Sequence, residues 1–335
     1  MAAAGCELLE TTVSRAVMTY KALRHIVHYY ELIRSIGAYL RGNKVDLVIV
    51  CDSPAFNFHI AKAAKKAGIR TMFYVAPQIW AWGGWRIGKL RRLCDKLCCI
   101  LPLEQDWFAK RGLDVVFVGN PLMDGLGAGA GYRPKEYADF DATKATFAIM
   151  PGSRSAEIDS LWRPMQEIAV RIRKNHPQAS FVTVAVDAER LEELKQKQVN
   201  GFECEYSTDT VVETTRKADF AIVASGSATL QVAAAGCPMV IMYQSSRILW
   251  HLIGWWLVRT RFLSLVNILA GEECVPEFMP YFSSTEPIVE SIERLLGDRE
   301  KLAQISRRLI ELTEPLGRGS AAEKVAQVVV EMLQD

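Results

Sequence analysis

From residue 46 onward, short apolar runs alternate with longer stretches in which apolar residues recur at helical spacing. Asp46–Cys51 (DLVIVC), Arg70–Val75, Leu97–Leu101 and Val115–Val118 are near-continuous apolar runs, as expected of parallel strands covered on both faces. The stretches between them predict helices, one running from Pro54 to Ala67 and a short one from Glu104. After a Gly-rich interval the alternation resumes. It predicts strand 146–150, a helix over 155–174, strand Ser180–Val186, a helix over 188–198 and a short strand near Phe202–Tyr206. A helix then precedes strand Phe220–Val223, another follows Ser227, and strand Pro238–Met242 comes next. An amphipathic segment Ile248–Val258, a loop Ser264–Glu273 and three helices end the chain. The pattern predicts an α/β protein of two Rossmann-like domains facing a cleft, with ligands at the carboxyl ends of the strands. The expected boundaries are 1–124 and 144–335 with linker 125–143, the last helices packing back on the first domain.

Residues 12–41 predict one or two helices of a different kind. Val13, Val17, Met18, Tyr20, Leu23, Ile26, Val27, Tyr29, Tyr30, Ile33 and Leu40 spread wider than one buried stripe requires, with Lys21, Arg24, His25, His28 and Arg34 among them. Such a helix suits either the domain core or an anionic membrane surface.

Composition narrows the function. The 335 residues, 50% apolar, suffice for two cores. Lys+Arg 40 against Asp+Glu 38 leaves a net +2, which excludes recruitment of nucleic acid by overall charge. Eight scattered cysteines without a C-x-x-C pair fit buried free thiols in a reducing compartment. The start, MAAAGCELLETT, has none of the features of a signal peptide. The run ILWHLIGWWLV is shorter than the roughly 20 residues a membrane span needs.

The chemistry concentrates at two corners. In FAIMPGSRSAE (Phe147–Glu157) an apolar run stops at Pro151-Gly152, and Ser153-Arg154 opens a helix with Ser153 as the expected N-cap. Unpaired N–H groups beside a fixed guanidinium suit a phosphate. In FAIVASGSATLQ (Phe220–Gln231) the run breaks at Ser225-Gly226-Ser227, again into a helix. Two such corners in one domain point to a nucleotide diphosphate. Asp52, directly after a strand, can cap the next helix or act as a general base, with Pro54 and Asn57 stiffening and polarising its corner. Trp80, Trp82 and Trp85 can line a sugar or acyl site or plug a domain interface. Asn120 closes the first domain at its cleft edge, and Asn267 is a polar residue in an apolar loop. Gly125–Ala130 is not followed by a helix and is set aside as a dinucleotide fingerprint; Asp139-Phe140-Asp141 reads as solvated linker. His176 and His251 lack partners at metal-ligand spacing, and no G-x-S-x-G elbow is present.

CDSPAFN (Cys51–Asn57), FYVAPQIWAW (Phe73–Trp82), LPLE (Leu101–Glu104), FVGNPLMD (Phe117–Asp124), MPGSRSAEI (Met150–Ile158), ASGSATLQ (Ala224–Gln231), GCPMVIMY (Gly236–Tyr243), SLVNILAG (Ser264–Gly271) and LGRGSAAEKVA (Leu316–Ala326), in this order, resemble the lipid-A-disaccharide synthase family. That resemblance implies the GT-B arrangement and an inverting transfer from UDP-2,3-diacylglucosamine to 2,3-diacylglucosamine 1-phosphate, forming a β-1,6 linkage and releasing UDP. It implies Asp52 as the base for the acceptor hydroxyl. Ser153, Arg154, Ser225, Gly226, Ser227 and Asn267 would hold UDP, with Gln231 at the ribose and Pro54, Asn57, Trp80, Trp82 and Asn120 lining the cleft. It implies no metal and no cofactor. Helix 12–41 would touch the anionic inner face of the cytoplasmic membrane, and a homodimer is compatible with the family. Three departures stand out. The family's opening strand and G-E-x-S-G-D loop are absent, so the first domain is expected to lack its first βα unit; Ala55 and Gln231 stand where acids are usual. A UDP-sugar-binding relic without turnover and a UDP-N-acetylglucosamine epimerase are the rival readings.

Overall fold

A computed structural model of the chain describes residues 4–9, 22–125, 132–254 and 260–334. Positions 12–21 of the predicted first helix, 126–131 of the linker and 255–258 of the amphipathic segment lie outside the described residues.

The first domain runs α1 (Ala22–Gly42), β1 (Leu47–Cys51), α2 (Pro54–Lys66), β2 (Arg70–Tyr74), α3 (Ile87–Leu93), β3 (Lys96–Cys99), α4 (Pro102–Ala109), β4 (Val115–Phe117) and α5 (Pro121–Asp124). Its four strands form a parallel sheet in sequential order β1-β2-β3-β4. The second domain begins with β5 (Thr146–Met150), α6 (Ser155–Asn175), β6 (Ser180–Ala185), α7 (Ala188–Gln196), β7 (Glu205–Thr208), α8 (Val211–Lys217), β8 (Phe220–Ala224), α9 (Ala228–Ala234) and β9 (Met239–Met242). It continues with α10 (Leu265–Ala270), β10 (Glu277–Phe278), α11 (Glu286–Leu296), α12 (Arg299–Thr313) and α13 (Ala321–Gln334). Its six strands are ordered β10-β9-β8-β5-β6-β7, every pair parallel.

Packing explains these elements. All five residues of β8 are buried, as is every residue of β5 after Thr146, which places both at the centre of the sheet. Phe147 stacks on Phe181 with ring centroids 5.1 Å apart. On α6 the buried residues Ile158, Leu161, Trp162, Met165, Ile168, Ala169 and Ile172 follow the helical period and face this sheet. Trp162 packs edge-on against Phe202 and donates its indole N–H to Leu194 O at 2.9 Å. The predicted loop 264–273 instead contains α10, capped by the Ser264 hydroxyl accepting from Asn267 N. Of the stretch read as solvated linker, Asp139 and Asp141 are exposed but Phe140 is buried, edge to face with Tyr137, whose Oη donates to Asp219 O at 2.7 Å.

The chain returns to the first domain at its end. Val328 and Met332 of α13 form one apolar cluster with Met72 and Cys98 of the first sheet and Val118 just after β4. Asp124 caps α13, accepting from Ala321 N at 2.9 Å and Ala322 N at 3.1 Å. Asn120 N donates to Leu316 O, and Gly119, at φ 91°, lets that carbonyl approach to 3.2 Å of where a Cβ would stand. Among the described residues no helix is long and apolar enough to cross a membrane.

Glu104, on α4, is a buried carboxylate that fixes the aromatic loop after β2. It accepts from Trp80 Nε1 at 2.9 Å, Leu101 N at 3.0 Å and Ile100 N at 3.1 Å. Burial pushes its carboxyl from the ordinary 4.5 up to about 7, against the pull of these three donors.

Two outcomes are expected. Between pH 4.5 and 7 the folded state holds a proton on Glu104 that the unfolded chain releases, so stability falls as pH rises through this window, by on the order of 3 kcal/mol. Urea midpoints measured from pH 5 to 8 read this slope, and Glu104→Gln flattens it. Asp124→Ala uncaps α13 and lowers the unfolding free energy by about 1–2 kcal/mol in the same assay.

Candidate active site

The connections out of β5 and β8 set the site. The two strands are neighbours in register, Ile149 opposite Ile222 and Met150 opposite Val223. From β5 the chain crosses to β6 on one side, whereas β8 leads to β9 on the other. The crevice between them is therefore a switch point of the sheet, where an open α/β sheet offers room for a ligand. The two corners singled out in the sequence emerge side by side there. Ser153, Arg154, Ser225, Gly226, Ser227 and Gln231 all line one cavity of about 590 Å³, within the range of small-molecule sites. Leu122 and Gly125, at the end of the first domain, reach the same cavity.

The first corner is built around Gly152. Its φ of 111° disfavours any side chain, and an added Cβ would meet Glu157 Cβ at 2.6 Å. This close approach lets Glu157 reach back under the turn. Its Oε2 accepts from Ser153 N at 2.9 Å and Arg154 N at 3.2 Å, and its Oε1 from Arg154 Nη1 at 2.9 Å. The N-cap of α6 is Arg154, in extended conformation, and not Ser153 as expected, because the Glu157 carboxylate does the capping in place of a serine hydroxyl. At the second corner Ser225 N is tied to Met242 O, and the space where a Gly226 side chain would stand is open.

The third wall comes from the carboxyl ends of β6 and β7 and from α8, including Val186, Asp209, Thr210, Val211, Val212 and Arg216. Sequence reading missed it because the short strand was placed near 202–206, whereas β7 is Glu205–Thr208. The displaced end hid the turn at Asp209, which stands at φ 53°. The polar run Ser207–Thr210 was the available signal.

The other candidates lie elsewhere. Asp52 follows β1 at the carboxyl edge of the first sheet, exposed and outside the cavity. It does not cap α2: Ser53 is the N-cap and makes no side-chain cap bond. Asp52 and Ser53 hold φ of 49° and 36°, a strained corner for non-glycine residues. Asn57 locks it, its Nδ2 donating to Cys51 O at 2.7 Å and Asp52 O at 2.6 Å, while Pro54 opens the helix behind. Trp80 is buried on Glu104 and is a strut, not a cleft-lining residue. Trp82 is exposed, with Arg86 over its ring and over that of Trp85. Asn120 is buried at the hinge, its Oδ1 accepting from Leu122 N while its Nδ2 has no partner among the described residues.

Asn267 is the clearest correction. It is wholly buried, donating to Val275 O at 2.8 Å and Glu277 Oε2 at 2.9 Å and accepting from Cys274 N and Val275 N. All its hydrogen-bonding capacity is spent on folding the loop after α10, so none remains for a nucleotide. Among the described residues no group of three or more His, Cys, Asp or Glu side chains could hold a metal ion.

Comparisons with known proteins agree with this layout. The family model described as lipid-A-disaccharide synthetase matches residues 1–332. Lipid-A-disaccharide synthases of Geobacter metallireducens and Myxococcus xanthus are 33% identical over 340 residues and 31% identical over 342. The alignments cover 99% of this chain in both cases, and 87% and 88% of those proteins. Among solved structures, the UDP-GlcNAc 2-epimerase from Neisseria meningitidis bound to UDP-GlcNAc superposes with a TM-score of 0.59 at 14% identity, covering 90% of this chain and 81% of that one. The epimerase from Methanocaldococcus jannaschii in complex with UDP-GlcNAc and UDP gives 0.56 at 13%, covering 92% and 82%. At such identities these two likenesses concern the fold alone. The family model and the curated relatives carry the assignment: the chain belongs to the lipid-A-disaccharide synthetase family, glycosyltransferases with two α/β domains around a cleft.

Proposed function

We propose that the chain transfers 2,3-diacylglucosamine from its UDP donor to 2,3-diacylglucosamine 1-phosphate, with inversion, releasing UDP. The observation that carries this reading is the meeting of two donor-rich corners, each at the end of a central strand, in one cavity. In this reading the Arg154 guanidinium and the hydroxyl and N–H groups of Ser225–Ser227 take the diphosphate. Gln231, one turn along α9, offers its amide to the ribose. The apolar side chains of Val186, Val211 and Val212 suit the flat face of the base.

The acceptor 6-hydroxyl attacks the anomeric carbon as the bond from that carbon to the UDP oxygen breaks, and one displacement inverts the centre. Asp52 takes the hydroxyl proton; its carboxylate makes no hydrogen bond among the described residues, so its lone pairs are available. Negative charge growing on the departing diphosphate is met by Arg154 and the second corner, preorganised donors of the kind that lower such barriers. Exposed Trp85, Ile248 and Leu252, 75%, 71% and 67% accessible, lie close in sequence to Arg86 and Arg247. They supply apolar and cationic contacts for the headgroup layer of an anionic membrane, from which both acylated sugars would be drawn.

Turnover is tested by UDP release from the purified chain given both acylated sugars. Asp52→Asn should lower the rate by about 10²–10⁴-fold with UDP affinity unchanged within about twofold. Arg154→Ala should weaken UDP by about 10–100-fold, the share of a charge-assisted contact. Full activity in Asp52→Asn removes the base assignment. Turnover of UDP-N-acetylglucosamine alone, indifferent to lipid, replaces the transferase with an epimerase.

A further inference from the structure

The cavity's first corner already holds an anion of the protein's own. Ser153 N, Arg154 N and Arg154 Nη1 all donate to one carboxylate, that of Glu157. These are the donors a diphosphate would claim at this corner. The carboxylate is tucked beneath the turn, 15% accessible, while the Arg154 side chain is 62% accessible. Gly152 alone makes the arrangement possible, since a Cβ there would collide with Glu157. A carboxylate and a phosphate oxygen accept the same N–H donors at similar distances, so the two anions compete for one seat.

We propose that Glu157 is a built-in placeholder for phosphate: it holds the turn 151–154 in shape while the cavity is free, yields its donors to the incoming diphosphate, and reclaims them as UDP departs. The inference rests on the reading that this cavity binds UDP. A preorganised anion seat lowers the ordering cost of binding, because the donors are aimed before the ligand arrives. The competing carboxylate limits how tightly the product is held, because every bond UDP gains at this corner is one that Glu157 surrenders. Glu157 is in this sense a positioning residue whose charge sets the release of product.

The test is UDP affinity and product inhibition in Glu157→Gln, which keeps the size and one acceptor but removes the charge. The expected result is UDP bound about tenfold more tightly than by the wild type, with a lower inhibition constant for UDP and a reduced kcat as release slows. Glu157→Ala, which also removes the cap, should lose thermal stability yet bind UDP at least as tightly as the wild type. A purely structural cap predicts the opposite sign, weaker UDP binding in both variants, and that result overturns the inference. Wild-type protein that binds UDP, with Glu157→Gln no tighter, overturns the placeholder alone. Wild-type protein that fails to bind UDP overturns the cavity reading and this inference with it.

Discussion

The site depends on the pairing of β5 with β8. These strands are about seventy residues apart in the chain, yet they sit shoulder to shoulder at the centre of the second sheet. Burial on both faces forces their apolar character, and parallel pairing requires a crossover that carries each following helix back over the sheet. Because one strand hands the chain to the left and the other to the right, their exit turns part and leave a crevice. Arg154 and Gly226 therefore share one cavity as a consequence of strand order. Phe147, packed between Phe181 and Phe220, anchors the same pairing from within.

A second constraint fixes how the first domain closes over that crevice. Leu122 and Gly125 reach the cavity from a segment held at both ends of α5, by Asn120 N on Leu316 O and by Asp124 on the first turn of α13. The last helix then lies on the first sheet through Val328 and Met332. The end of the first domain and the last stretch of the chain are thus tied to each other beside the cavity. A shift of α13 along the first sheet would move the lip of the cavity with it.

The sequence made the strands legible because a strand buried on both faces must be written as an unbroken apolar run. It made the two corners legible because Pro, Gly and Ser cannot continue such a run. What it hid depends on partners distant in the chain. Nothing in SLVNILAG shows that Asn267 spends its amide on Cys274, Val275 and Glu277. Nothing in PQIWAW shows that Trp80 turns inward to a carboxylate twenty-four positions on. Ser153 was the chemically reasonable N-cap, but the positive φ at Gly152 redirected the chain and passed that task to Glu157. The edge of β7 was misplaced by two residues, enough to conceal a whole wall of the cavity.

Asp52 shows how backbone geometry can overrule the ordinary use of a residue. An aspartate just before a helix usually caps it, and the cap would be worth about 1 kcal/mol. Here the first donors of α2 are taken by the main chain: Phe56 N and Asn57 N both donate to Ser53 O. Pro54 has no N–H to give. The corner also carries two consecutive left-handed residues that are not glycine, each costing on the order of 1–3 kcal/mol. Asn57 offsets part of that strain by binding the carbonyls on both sides of the bend. A capped, relaxed corner would be the more stable one. The strained corner instead leaves an exposed carboxylate with no partner among the described residues, at the carboxyl edge of its sheet. The backbone strain at this corner and the free carboxylate beside it thus go together, as expected of the base proposed for Asp52.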